Sequence, residues 1–141
     1  MRTLSDFIPR EPTVHSAAFF STGIVCAVLA MLVGIRMEAS HSFVLAPLQL
    51  QLNVVGWVSM VLYGTFYAMT RGTLSLGLAW TNYWVSLAGI VILVPALALY
   101  LTTNARIWYR FVLAGDTITV GAMLLFAYSV FRELFRRRPP L

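Results

Sequence analysis

The sequence contains no lysine and a single cysteine, and charged residues of either sign make up only 11% of it. A globular chain carries about 25% charged residues, so a soluble enzyme, a disordered chain and a soluble nucleic-acid binder are excluded. One thiol, Cys26, permits no intramolecular disulfide and no cysteine metal cage. Histidine is almost as scarce, with only His15 and His41. They precede the first and second apolar runs, about a bilayer thickness apart, so one protomer cannot use both on one metal or haem. At such exposed joints each reads as an interfacial side chain. The chain also lacks His-x-x-x-His, a Walker loop and Gly-x-Ser-x-Gly. Hydrolytic zinc and phosphoryl-transfer chemistry are therefore unsupported, and no metal site is expected.

What the chain has instead is apolar surface. Hydrophobic residues are 60% of its 141 residues, and the mean hydropathy is +0.81. A bilayer core about 30 Å thick needs roughly 20 apolar residues in one helix. Four stretches meet this: about Ala17–Ile35, Phe43–Met69, Leu74–Leu101 with Pro95 inside it, and Ile107–Phe131. The joints between them are short and polar, which predicts an all-α membrane domain over 17–131, an antiparallel four-helix bundle. Residues 1–16, with Pro9 and Pro12, read as a cytoplasmic N-terminal arm, and 132–141 as a basic cytoplasmic tail. A cleaved signal peptide is the competing reading of the first span; the long polar lead and the lack of a clean cleavage site favour retention.

All ten basic residues are arginine, and five acids oppose them. With both termini and the second joint on one side, that side holds Arg2, Arg10, Arg71, Arg132 and Arg136 to Arg138. The other side holds Arg36, Arg106 and Arg110. Seven against three predicts cytoplasmic termini under the positive-inside rule. The terminal arginine cluster reads as a topology anchor on anionic lipid, with no nucleic-acid role.

Ala18, Thr22, Cys26, Ala30 and Gly34 form a small-residue series at four-residue spacing on the first span. Such a stripe lets a neighbouring backbone approach closely, so it is read as helix packing, together with Gly56 and Gly64 on the second span. The second span also carries Gln49, Gln51 and Asn53 near its outer end. At 1.5 Å per residue, Asp116 on the fourth span lies at about the same depth. Asn82, Tyr83 and Trp84 on the third complete a candidate ligand pocket. Asp116 has two readings: a candidate acid/base, because intramembrane carboxyls are commonly functional, or a structural partner for Gln51, Asn53 or Arg110.

The string Gln49-Leu50-Gln51-Leu52-Asn53-Val54-Val55-Gly56-Trp57, followed by Gly64 and Tyr67, resembles the second helix of haem-copper oxidase catalytic subunits. The resemblance is especially to the nitric oxide reductase branch, and stronger still to small four-helix bacterial membrane proteins related to these subunits. Asn82-Tyr83-Trp84 with Gly89 resembles that family's His-Phe-Trp with a later glycine. The resemblance implies a multi-pass protein of the bacterial cytoplasmic (inner) membrane, in a respiratory or redox system. It implies haem held from the positions of Gln51 and Asn82, where this chain has amides. Neutral amides are poor haem-iron ligands, so no cofactor is expected, unless a methionine such as Met60 or Met123 ligates.

Four functions follow as expectations. The first is a non-catalytic subunit, or a protein binding a lipid, quinone or other apolar small molecule, with further membrane subunits or copies of itself as partners. The second is a small isomerase- or hydratase-type enzyme using Asp116. The third is a haem electron-transfer protein. The fourth is a proton or ion path from Asp116 through Ser21, Thr22, Thr65 and Ser75.

Overall fold

The computed structural model describes residues 14–70 and 75–136. These form four long helices and no strand: α1 (Val14–Ser40), α2 (Ala46–Met69), α3 (Leu76–Thr103) and α4 (Arg106–Arg136). Each is long and apolar enough to cross a membrane. Most of the N-terminal arm, Arg71 and the last five residues lie outside the described region. Of the arginines counted for orientation, this removes Arg2, Arg10, Arg71, Arg137 and Arg138 from structural description.

The helices overrun the apolar stretches. α1 continues through Arg36, Met37 and Glu38 to Ser40, because a helix satisfies its own backbone in headgroups as well as in hydrocarbon. α4 likewise runs to Arg136, so the first part of the basic tail is helical. The ends are set by local chemistry. α2 begins with proline in its first turn, where the missing N–H costs nothing. α3 ends on Asn104, whose φ of 53° is left-handed and whose N–H caps Tyr100 O at 2.8 Å. His41, with φ 49°, makes the corresponding reversal after α1.

Besides His15 at its first turn, the buried positions on α1 are Ser16, Phe19, Gly23, Cys26, Ala30 and Met37, an alternation of three and four residues with one step of seven. α3 repeats it with Ala79, Asn82, Ser86, Gly89, Leu93 and Ala96. So does α4, with Val112, Gly115, Ala122, Ser129 and Glu133. This is the seven-residue repeat of shallow left-handed helix packing. The four-residue series expected on the first span is divided by depth: Cys26 and Ala30 lie in the seam, while Ala18, Thr22 and Gly34 flank it, half-buried. At about 100° per residue a strict step of four drifts about 40° each time and leaves the contact face.

The four helices make two hairpins, α1–α2 and α3–α4, within which the backbones approach closely over long stretches. In the first, a methyl group on Gly56 would lie 2.6 Å from Cys26 Cβ, and one on Gly64 would lie 2.9 Å from Phe19 Cβ. In the second, a methyl group on Gly115 would lie 2.8 Å from the Leu93 backbone. Between hairpins the main chains meet at few places, and side chains span the gap.

Gly115 meets main chain, which cannot rotate aside, whereas Gly121 on the same helix has open space around it. Gly115→Ala should therefore lower unfolding stability by about 1–3 kcal/mol. Gly121→Ala should leave it unchanged or raise it by up to about 1 kcal/mol. Denaturation of both variants in one detergent gives the comparison, and equal effects would contradict the close crossing.

Candidate ligand-binding site

α2 is not a uniform α-helix. Leu52–Val58 is π-helical, and Ser59 closes it with both its N–H and its hydroxyl directed to Val54 O, five residues back. Three valines and a glycine, all weak α-formers, make up most of the segment. The wide turn keeps Leu48, Leu52, Gly56 and Met60 buried at successive steps of four. The spacing then returns to three and four through Tyr63 and Tyr67. Such π turns recur at functional sites because they carry one extra residue and redirect side chains.

Beside this segment lies a cavity of about 220 Å³, lined from α2 by Val54, Val55, Ser59 and Tyr63. Ser86 of α3 and Thr119, Val120, Ala122 and Met123 of α4 complete it. The α4 residues sit at the middle of that helix. Val54, Val120 and Met123 are also exposed on the outer surface, so the cavity opens sideways rather than toward either helix end.

Side chains bridge α2 and α4 on both sides of the cavity. Toward the end holding the short joints, Gln51 donates through Nε2 to Asp116 Oδ1 at 3.4 Å. At the cavity, Tyr63 Oη donates to Met123 Sδ at 3.6 Å. Toward the end where α1 begins and α4 finishes, Tyr67 Oη lies 3.1 Å from Ser129 Oγ. Ser129 gives its own proton to Leu125 O, so Tyr67 is the donor of that pair. Phe126 packs between the two tyrosines, 4.6 Å from the Tyr63 ring by centroid.

The structure divides the polar set expected from sequence. Gln51 and Asp116 come together, and both are half-buried. Asn53 turns back to Gln49 O at 3.0 Å, and the Gln49 side chain covers Gly34 of α1. Asn82 is elsewhere. The contacts Gly89–Thr119 and Leu93–Gly115 set the antiparallel register of α3 and α4. That register puts Asp116 level with Ile92, ten residues and about 15 Å from Asn82. Asn82 is fully buried next to Tyr67, yet neither its amide nitrogen nor its oxygen completes a hydrogen bond. Tyr83 bonds Thr22 of α1 at 3.1 Å. Trp84 is 60% exposed and stacks on Trp80, and it does not line the side cavity.

Other expectations change as well. His15 is buried edge-on to Trp80 instead of lying exposed at the interface, while His41 is exposed. Ser21, Thr65 and Ser75 lie on the outer surface, and Ser21 and Thr65 bond their own helix, so they form no internal route. On α3 and α4 the buried polar groups are Asn82, Ser86, Ser129 and Glu133, whose Oε2 lies 4.0 Å from Arg136 Nε. Extending the three-four alternation along the third and fourth spans finds all four. Met60 packs against Gly23 of α1, and Met123 accepts from Tyr63. Among the described residues no three His, Cys, Asp or Glu side chains gather to hold a metal.

No protein-family model, curated protein or solved structure matches the chain.

Truncation tests the Gln51–Asp116 bridge. Gln51→Ala and Asp116→Ala should each lower stability by about 1 kcal/mol, with the double variant short of the sum by about 0.5 kcal/mol or more. Strict additivity would show that the two groups do not interact.

Proposed function

We propose that this chain is a multi-pass membrane protein that binds a lipid-soluble small molecule in the side cavity between α2 and α4, without performing chemistry on it. The observation that carries this reading is the cavity itself: it sits midway along α4, opens sideways, and is flanked by the one irregular turn described in the four spans. A ligand dissolved in the bilayer reaches such a site without crossing the headgroups. An engineered cavity of about 150 Å³ with apolar walls holds benzene, so about 220 Å³ accommodates a ring with a small substituent.

In this reading both termini face the cytoplasm of a bacterial inner membrane, supported by the seven-to-three arginine asymmetry. The resemblance to the nitric oxide reductase branch supports a place beside respiratory or redox proteins. It does not extend to a haem held between Gln51 and Asn82. Those positions differ by about 15 Å in depth, whereas two axial ligands share one iron. Asp116 serves as a bridge residue: its carboxylate accepts from Gln51 at 3.4 Å, and it does not line the cavity.

A photoreactive phenyldiazirine partitioned into nanodiscs tests this reading. Labelling of Val54–Tyr63 and Thr119–Met123 should saturate and be displaced by benzene, and Val120→Phe, which fills the cavity, should abolish it. Labelling spread evenly over the outer surfaces of both proteins would overturn the proposal.

A further inference from the structure

The hydroxyl groups around the cavity are not equivalent. Ser59 donates to Val54 O at 2.8 Å, Ser86 to Asn82 O at 2.7 Å, and Thr119 to Asp116 O at 2.8 Å. Each hydroxyl has one proton, and in all three it is committed to a carbonyl of the same helix. Tyr63 is the exception. Its hydroxyl lies beside that of Ser59, whose own proton is on Val54 O, and donates across the gap to the Met123 thioether at 3.6 Å, a weak acceptor, although the residue is only 3% exposed. The lining therefore holds one donor that gains by exchanging partners.

We infer that Tyr63 reads the ligand, and that the ligand is a ring-sized apolar molecule bearing a hydrogen-bond acceptor of the carbonyl type. This rests on the cavity reading above and adds the chemistry of the occupant. On binding, the Tyr63 proton turns from sulfur to the ligand oxygen. Met123 is unbranched and adapts to the change by rotating its thioether away. Phe126 packs against the Tyr63 ring at 4.6 Å by centroid and holds it, so the hydroxyl proton can turn without the ring leaving its place. A hydrocarbon of the same shape fills the same space but leaves Tyr63 on sulfur. A ligand whose only polar group is a donor gains nothing from Tyr63.

The test uses the full chain in nanodiscs with methyl-13C methionine, the Met123 signal being identified by Met123→Leu. Acetophenone and isopropylbenzene are titrated as probes, each expressed as a mole fraction in the lipid. They match in size and differ in the carbonyl. Both should shift the Met123 signal saturably, with acetophenone half-saturating at about tenfold lower mole fraction. Tyr63→Phe keeps the ring and should bring the two probes to within about twofold of each other. Shifts from both probes with no carbonyl preference in the wild type, or a preference that survives Tyr63→Phe, would overturn this inference and leave the cavity reading standing. No saturable shift from either probe would overturn both.

Discussion

Every peptide group that crosses hydrocarbon has to find its hydrogen-bond partner within its own helix or lose several kcal/mol. That constraint turns this chain into four rods before any tertiary contact forms. It also removes the usual means of joining elements, since neither loops nor sheet edges are available at depth. Two means of joining remain. Backbones can come close where side chains are small, or long side chains can reach across where backbones stay apart. The protein uses the first inside each hairpin and the second between hairpins, and the position of the cavity follows from that division.

Inside the hairpins the decisive residues are Gly56 against Cys26 and Gly115 against Leu93. Lipid tails are as apolar as leucine, so burial against lipid gives no hydrophobic gain, and helix association has to come from close van der Waals contact. Between α2 and α4 the bridging groups are a glutamine on an aspartate, a tyrosine on a methionine and a tyrosine on a serine. Side chains of that length hold two helices at a distance. With Ser59 and Ser86 lining the space between, the distance becomes an opening. The π turn belongs to the same economy: its extra residue keeps Leu52, Gly56 and Met60 against α1 while Ser59 and Tyr63 line the gap to α4.

How much of this is legible in sequence depends on the kind of signal. The four spans are, because a run of about 20 apolar residues has few other meanings. The meeting of Gln51 with Asp116 is legible from depth alone, since both lie near the same end of their helices. Depth fails for Asn82, because it says nothing of which helix comes alongside. The register of α3 on α4 comes from Gly89 and Gly115, and reading it requires knowing that these two glycines face one helix pair. A step of four and an alternation of three and four share residues such as Cys26 and Ala30, so short stripes do not separate them. The π turn has no sequence signature beyond weak α-formers, and without it the cavity cannot be anticipated. His15 shows the same gap: its place just ahead of the apolar run suggests exposure, yet Trp80 from another helix covers it.

Asn82 and Tyr63 show why a buried polar group need not be a site. Both are nearly inaccessible; Asn82 completes no hydrogen bond, and Tyr63 donates to a thioether, a weak acceptor. Asn82 is enclosed on α3, in the half of the bundle where Tyr67 already bonds Ser129, and it does not line the side cavity. Its amide specifies how the hairpins dock, because an alternative packing that turned it to lipid would cost about as much as exposing any amide to hydrocarbon. Tyr63 holds its weak partner beside an open space. A weakly held donor becomes a recognition element only where something else can enter, and of the two residues only Tyr63 lines the cavity. The difference in role comes from the helix spacing around each residue, which is set by glycines elsewhere in the chain.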